Sequence, residues 1–307
     1  MLTFAYYNYQ FGKILQPRQG ELFDTLPDPE ESFRRKQDIL DELIRADYEG
    51  ERKITFVNAR RTKAFRHCYM APPQDGLTVL KIQNRHLRKT ETRDFGEELR
   101  EEFPACLVVI DNRPGIQRIV IEKKGAAFAD ITQVQGILQT TLRLLLQPYG
   151  LSISVDQLHT REAFWNVVAN VKQYPLGFRR MMVRLPHLNL ERISKVMKRY
   201  IDDARGSFGS SLALDFRAPD GGRLNLDEKD ERQQAFIATL TEDVGGNNTI
   251  GLYPVGAGAK PVQIGSGNYR TAGIREDTFD KLGAADADER GRAMDALKRF
   301  TKKFIDD

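Results

Sequence analysis

Residues 106–124 read CLVVIDNRPGIQRIVIEKK, and this stretch organises the first half of the chain. Two runs rich in Val, Ile and Leu flank the segment Asn112–Gly115, which contains the turn-forming residues Asn, Pro and Gly. Two β-favouring runs joined by a short turn are typical of a β-hairpin. The stretch therefore predicts two antiparallel strands that pair with each other.

An amphipathic helix is predicted shortly after this hairpin. Asp130 suits the N-cap position, and Gln133 follows three residues later, as in a capping box. Pro148 and Gly150 are residues that end helices. Between these limits, apolar residues recur at helical spacing: Ile131, Val134, Leu138, Leu142 and Leu145.

The composition is that of an ordinary globular protein, with 307 residues of which 29% are charged and 40% hydrophobic. No stretch approaches the roughly 20 apolar residues that span a bilayer, so we expect no membrane partner. The scarcity of cysteines fits a reducing compartment, so we expect a cytoplasmic location. Cys68 and Cys106 are too few for a disulfide framework, and the four histidines show no zinc-ligand spacing. A net charge of +4 permits a nucleic-acid partner without requiring one.

The patterns divide this α+β chain into two modules, residues 1–176 and 177–307. The first is a mixed module around the central hairpin and helix. In the second, the order βαββαβ is that of ferredoxin-like folds. Its elements are predicted at 181–185, 190–204, 212–216, 223–226, 236–244 and 250–255. An extra strand at 262–264 and a final helix through Ala293, Leu297 and Phe300 complete the expected module.

The triplet Glu122-Lys123-Lys124 ends the second hairpin strand and resembles the (D/E)xK motif of restriction-endonuclease-like nucleases. The resemblance implies carboxylates that hold a divalent metal such as Mg²⁺ and a lysine that adds positive charge. Asp111 is the nearest further carboxylate in this stretch, but the turn excludes it. If a four-residue turn pairs Asp111 with Ile116, Glu122 lies opposite Ala105, and the two carboxylates are roughly 18–20 Å apart.

The same register places Lys124 opposite Phe103, so Glu101 or Glu102 becomes the nearby carboxylate. The nuclease hypothesis therefore names Glu102, Glu122 and Lys124 as catalytic residues. Mg²⁺ is the cofactor only under this hypothesis, and otherwise we expect none.

A glycine-rich segment at 256–260 reads GAGAK, which superficially suggests a phosphate-binding loop. It lacks the GxxxxGK[ST] spacing and the Ser or Thr that such a loop needs. We interpret it as a flexible loop with tight turns.

Basic residues suggest a nucleic-acid partner in two places. The segment 85–93 reads RHLRKTETR and fits either a phosphate-contacting patch or a solvated loop or helix face. In the second module, arginines flank the first strand and basic residues lie on the polar side of the first helix, where a solvated face is again the alternative. The candidate nucleic-acid-binding residues are Arg85, Arg88, Lys89, Arg179, Arg180, Arg184, Lys195, Lys198 and Arg199. Phe216 and Tyr253 are the sheet aromatics, but no RNP1-like motif accompanies them.

Three hypotheses follow. The favoured one is a nucleic-acid-associated protein without its own catalysis, with RNA or DNA as partner. The second is the metal-dependent nuclease. The third is an oligomeric scaffold subunit of a microbial defence complex, with protein partners or further copies of itself. No particular residue supports this third hypothesis.

Overall fold

The computed structural model describes residues 1–14, 29–91, 95–158, 161–185, 212–238, 240, 249–256, 261–264 and 270–304. The chain forms two compact units. The first comprises Met1–Ala5, Phe11–Val155 and Thr271–Asp306, and the second comprises Tyr6–Gln10 and Asp156–Arg270. The division into modules at residue 176, inferred from sequence patterns, stays a prediction.

The described residues contain fourteen strands and seven α-helices. The strands are β1 Leu2–Lys13, β2 Phe56–Val57, β3 Ala64–Tyr69, β4 Leu77–Gln83, β5 His86–Glu91, β6 Glu97–Glu102, β7 Ala105–Asp111, β8 Arg118–Glu122, β9 Leu151–Gln157, β10 Phe178–Leu185, β11 Leu212–Arg217, β12 Thr249–Pro254, β13 Val262–Gln263 and β14 Thr271–Ile274. The helices are α1 Pro29–Arg34, α2 Lys36–Tyr48, α3 Ile131–Leu146, α4 Arg161–Val168, α5 Glu231–Ala238, α6 Asp277–Asp280 and α7 Ala287–Thr301. None of the helices in the described ranges is long and apolar enough to cross a membrane.

The first unit is built on an eight-stranded sheet in the order β14-β1-β8-β7-β4-β3-β2, and β9 also pairs with β1. Strand β7 pairs antiparallel with both β4 and β8. All its residues after Ala105 are buried, which explains why this part of the sequence is a continuous apolar run instead of an alternating one.

The central hairpin is present, but its register differs from the predicted one. Asp111 pairs with Arg118, not with Ile116, so the connection spans six residues instead of four. Every cross-strand partner therefore moves by two positions, and Glu122 falls opposite Leu107. A shift of two keeps each side chain on the same face, which is why the apolar pattern did not reveal it.

Helix α3 follows the predicted pattern, because Asp130 accepts a hydrogen bond from the backbone N–H of Thr132 at 2.9 Å. Its apolar stripe is buried. At the other end of the unit, α7 buries Ala293, Leu297 and Phe300, the face expected from their spacing. Both helices thus form where amphipathic spacing and a cap agree.

Polar contacts tie α7 to the central hairpin. Asp111 is fully buried and accepts hydrogen bonds from Arg113 Nε at 2.8 Å and Arg113 Nη2 at 2.5 Å. It also accepts one from the Thr301 hydroxyl at 2.5 Å. Arg113 in turn donates to the carbonyl of Lys298 at 3.0 Å. The carbonyls of the last helical turn lack helical donors, and this guanidinium satisfies one of them.

The segment predicted as a solvated loop or helix face is instead a strand, β5, which pairs antiparallel with β6 from His86↔Glu102 to Glu91↔Glu97. Among the described residues, these two strands form a sheet of their own. Three large apolar side chains in this hairpin are exposed, namely Leu87, Phe95 and Leu99.

The second unit contains a four-stranded sheet in the order β11-β10-β12-β13, in which every pair is antiparallel. Residues 223–226, predicted as a strand, form none, and the predicted helix at 190–204 lies outside the described residues. Of the predicted helix at 236–244, only residues 236–238 and 240 are described, and α5 ends at Ala238. The ferredoxin-like arrangement is therefore not confirmed, whereas the α+β class with antiparallel sheets is.

Candidate functional site

The sheet of the second unit has one apolar and one polar face, as strand alternation requires. Met181 and Val183 of β10, with Ile250 and Leu252 of β12, belong to a buried core that also includes Ile237 of α5. The intervening residues form the other face. On it, Arg180 pairs with Arg217 of β11 on one side and with Tyr253 of β12 on the other, so these three residues form one row across three strands.

A β-bulge places a fourth residue beside this row. The register between β10 and β12 shifts by one residue between Phe178 and Arg180. Phe178 is in the core although an unbroken alternation would put it on the face of Arg180. The extra residue, Arg179, therefore breaks the alternation, and bulges commonly redirect side chains in this way. The bulge explains why two consecutive arginines line the same depression.

Asp215 organises the arginines. Arg180 binds its carboxylate with two hydrogen bonds, Nε to Oδ1 at 2.7 Å and Nη2 to Oδ2 at 3.0 Å. Arg217 donates to Oδ2 from Nε at 2.9 Å and from Nη2 at 2.7 Å. Hydrogen bonds from Arg217 and then from Arg180 hold the pKa of Asp215 below its ordinary value. The carboxylate therefore stays ionised and fixes the orientation of both guanidinium groups.

Tyr253 holds Arg180 from the other side. The guanidinium carbon lies 4.7 Å from the centre of the tyrosine ring, within the range of a cation–π contact. The side chain of Arg180 is 29% exposed and that of Arg217 is 67% exposed. Both arginines are thus held by Asp215, and Arg217 is the more exposed of the two.

These residues line a cleft of about 480 Å³, which we call the arginine cleft. Its walls are Arg179, Arg180, Arg217, Ala218, Pro219, Asp220, Gly221, Gly222, Tyr253, Val255 and Gly256. One wall is the turn Pro219–Gly222, closed by a hydrogen bond from Gly222 N to Pro219 O at 2.8 Å. Gly221 has φ +75°, the left-handed conformation that this turn position requires.

The arginine cleft suits a phosphate joined to a flat ring. Guanidinium groups match the geometry of phosphate oxygens, and the three in the cleft outnumber two carboxylates, Asp220 in its wall and Asp215 bound to Arg180 and Arg217. Aromatic rings and arginine planes are the surfaces on which unpaired bases stack. The cleft volume lies within the range of small-molecule sites, so a nucleotide-sized group fits.

The other predicted nucleic-acid-binding residues are not all in this cleft. Arg184 lies in β10, paired with Ala213. Lys195, Lys198 and Arg199 lie outside the described residues. The basic patch around residue 85 lies in β5 and in the connection just before it. Lys89 lies opposite Leu99 in the hairpin, and the two arginines face acidic partners. Arg85 forms an ion pair with Glu101, and Arg88 Nη1 lies 3.4 Å from Glu102 Oε1.

The residues of the nuclease hypothesis are placed in different surroundings. Glu122 is 7% exposed, and its Oε2 accepts the backbone N–H of Leu107 at 2.9 Å. Lys124 is exposed just beyond β8. Glu102 lies in β6, paired with His86. Within the described part of the chain, no three His, Cys, Asp or Glu residues are grouped so as to hold a metal ion.

Two features of this sheet depend on strand pairing and are not predictable from one segment of the sequence. Phe216 pairs with Met181 and lies on the opposite sheet face from Tyr253, so the two aromatics do not share a surface. Asp215 and Arg217 were not singled out, although they alternate in β11 in the sequence LALDFR. The alternation indicates that Asp215 and Arg217 share one face of the strand. Only the pairing of β11 with β10 shows that Arg180 lies beside them.

Comparison with known proteins adds no assignment to this geometry. Neither the known protein-family models nor the curated proteins include a match to this chain.

Proposed function

We propose that this chain binds single-stranded nucleic acid through the arginine cleft, without catalysing a reaction on it. The observation that carries the proposal is the make-up of the arginine cleft: the β-bulge brings Arg179 beside Arg180, and strand pairing places Arg217 on one side of Arg180 and Tyr253 on the other. Phosphate groups would contact the arginines, and a base would stack on the tyrosine–arginine layer.

The placement of the charges favours a single strand over a duplex. The cleft is a local depression beside a turn, and the described residues around it present no helix or protruding ribbon that would enter a major groove. A single strand can instead turn one base toward the sheet while its phosphates stay at the rim. The two sugar types are not distinguished by these contacts, so RNA and DNA remain equal candidates.

Fluorescence anisotropy tests this proposal directly. The full chain is titrated into labelled oligouridine, oligothymidine and a matched duplex at 50 and 200 mM salt. We expect binding to both single strands, weaker binding to the duplex, and an affinity that falls steeply with salt, because bound phosphates release counterions. Competition with a mononucleotide distinguishes a strand from a free nucleotide as the ligand.

A pair of double variants provides the specificity control. Arg179→Ala with Arg217→Ala removes two exposed cations from the cleft, whereas Arg85→Ala with Arg100→Ala removes two from the hairpin β5–β6. We expect the first variant to lose at least tenfold in affinity and about two units of salt slope, and the second to bind like wild type. Equal losses in both variants would show that binding is not located in the cleft, and no binding at 50 mM salt would end the proposal.

No described contact favours the nuclease alternative, because the Glu122 carboxylate is engaged by the N–H of Leu107. Incubating the same oligonucleotides with the chain and Mg²⁺ or Mn²⁺ tests the nuclease alternative, because cleavage would shorten them. Cleavage that disappears in Glu122→Gln would replace the binding proposal with the catalytic one.

A further inference from the structure

The arginine cleft contains hydrogen-bond donors that Asp215 does not use. Arg180 and Arg217 bind this carboxylate through Nε and Nη2, and within the described ranges the Nη1 group of each makes no hydrogen bond. The side chain of Arg179 is exposed, and no described residue accepts a hydrogen bond from it. Each of the three guanidinium groups in the cleft therefore keeps at least one N–H group for a ligand.

Three donor groups match a terminal phosphate better than an internal one. An internal phosphodiester has two non-bridging oxygens and a single negative charge. A phosphomonoester at the end of a strand has three such oxygens and a charge of about −1.5 to −2 near pH 7. Guanidinium groups attract the more highly charged group more strongly, and each of them can bind a separate oxygen.

The size and position of the cleft also favour the end of a strand. Its volume of about 480 Å³ suits a single nucleotide, whereas surfaces that follow a strand cover about 4–16 nucleotides. The cleft lies where β10 begins and where β11 and β12 end, and the chain after Arg217 enters the turn Pro219–Gly222. Asp220 lies in this turn, so a strand that continued in that direction would bring its next phosphate toward a carboxylate. A strand that ends in the cleft has no further phosphate on that side.

We propose that the arginine cleft recognises the phosphorylated end of a single strand, with the terminal phosphate on Arg179, Arg180 and Arg217 and the terminal base on Tyr253. This inference rests on the proposed function, because it names the part of the strand that enters the cleft. Arg179 contributes most to the preference for an end, since its guanidinium is not shared with Asp215. A 5′-phosphate and a 3′-phosphate present the same chemical group, and the strands used in the test distinguish them.

Fluorescence anisotropy of the full chain with internally labelled oligouridine tests this inference. Four strands of about ten nucleotides are compared at low salt: one with hydroxyl ends, one with a 5′-phosphate, one with a 3′-phosphate, and one whose 5′-phosphate is blocked by a methyl ester. We expect at least one phosphorylated end to increase the affinity about tenfold over hydroxyl ends, because hydrogen bonds between charged groups are strong. The methyl ester converts the terminal group into a phosphodiester, so this strand should bind like the one with hydroxyl ends.

The four strands separate failure of this inference from failure of the proposed function. Equal affinity for all four would overturn end recognition and leave strand binding intact. A methyl ester that binds as tightly as the free 5′-phosphate would overturn recognition of a 5′-phosphomonoester, and with no preference for the 3′-phosphate it would overturn the inference. No binding of any strand would overturn the proposed function itself.

Arg179→Ala tests the residue on which the preference depends. It should lower the affinity for the preferred phosphorylated strand about tenfold and that for the hydroxyl strand by less than about threefold. Arg85→Ala removes an exposed arginine outside the cleft and is the matched control, which should keep the wild-type ratio of the two affinities. Circular dichroism verifies that both variants are folded. An unchanged ratio in Arg179→Ala would contradict the role of this arginine in end recognition.

Discussion

Two arginine–aspartate clusters in this protein use the same chemical groups in opposite surroundings. In the first unit, Asp111 is fully buried and binds Arg113 and the Thr301 hydroxyl. In the second unit, the Asp215 side chain is 30% exposed and binds Arg180 and Arg217 at the edge of the arginine cleft. In both, an arginine donates two hydrogen bonds to the carboxylate.

The difference teaches that burial, and not pairing, separates a structural cluster from a candidate binding site. A buried charge that loses its partner has no water to replace it, so Asp111 and Arg113 depend on each other. An exposed pair gains little stability in water, and its arginines can exchange part of their contact with the carboxylate for contact with a ligand. We expect substitutions in the first cluster to change folding and those in the second to change binding.

The largest effect is expected for Asp111→Asn. Arg113 donates hydrogen bonds to Asp111, and these raise the pKa of Arg113. Without them the guanidinium still stays charged, because arginine is protonated at all ordinary pH values, and it has lost its counter-charge. The free energy of unfolding, measured from the urea unfolding transition, should fall by about 3–5 kcal/mol. Asp215→Asn is the matched exposed variant and should leave that transition unchanged. Equal destabilisation by the two variants would contradict the conclusion that burial separates the structural cluster from the binding cluster.

A smaller loss, about 1–3 kcal/mol of binding free energy, is expected for Tyr253→Ala. The substitution removes the ring that lies 4.7 Å from the Arg180 guanidinium and on which a base would stack. Anisotropy titrations with oligouridine measure the change. Tyr253→Phe keeps the ring and should bind like wild type. A loss in both variants would point to the hydroxyl group and contradict stacking.

Asp215→Asn should strengthen nucleic-acid binding several-fold at low salt. It removes a negative charge next to the proposed phosphate position and frees hydrogen-bond donors of Arg180 and Arg217. Because the pKa of Asp215 lies below its ordinary value, the carboxylate is ionised throughout the range from about pH 5 to 8. Wild-type affinity should therefore be insensitive to Asp215 titration in that range. Weaker binding by the variant would mean that the carboxylate's positioning role outweighs its charge.

The smallest effect concerns a third carboxylate, Asp47, which is buried and accepts hydrogen bonds from the Tyr69 hydroxyl at 2.6 Å and the backbone N–H of Ile54 at 2.6 Å. Burial, and then Asp47, raise the pKa of Tyr69 above its ordinary value. Tyr69→Phe should cost about 1 kcal/mol near neutral pH.

The stabilisation that Tyr69 provides should decrease at high pH. The folded state keeps the Tyr69 proton, whereas the unfolded chain releases it near pH 10, so the contribution is complete below that value and declines as pH rises. The stability difference between wild type and Tyr69→Phe should therefore be constant from pH 7 to 9 and shrink above pH 10. Urea midpoints at each pH measure it. A difference that grows with pH would contradict a buried, protonated hydroxyl.

Local sequence patterns predicted several elements of the fold. The central hairpin, the Asp130-capped helix and the last amphipathic helix were all predictable, because each depends on the alternation, periodicity or caps of one segment. Segment 85–91 was misjudged because it alternates weakly and neither face of its hairpin is buried. A strand that is not buried on one face lacks the usual apolar signature.

The arginine cleft was only half predictable. The charge of Arg179 and Arg180 predicts a role for both, but Arg217 and Asp215 join them only through strand pairing between β10 and β11. Adjacent residues of a strand normally point to opposite faces, so nothing short of the bulge brings Arg179 alongside Arg180. Which residues line the cleft depends on which distant strands pair, and the local sequence carries little information about that pairing.

The amino-acid sequence by itself determined the α+β class, the two strands of the central hairpin, the Asp130-capped helix and the last amphipathic helix, and the absence of zinc-ligand spacing. Only the tertiary structure decided the hairpin register, the meeting of Arg180 and Arg217 at Asp215, and the placement of Arg179 and Tyr253 in the same cleft. The physical reason is that periodicity specifies which face a side chain occupies, whereas a shift of two residues preserves that face and changes every neighbour.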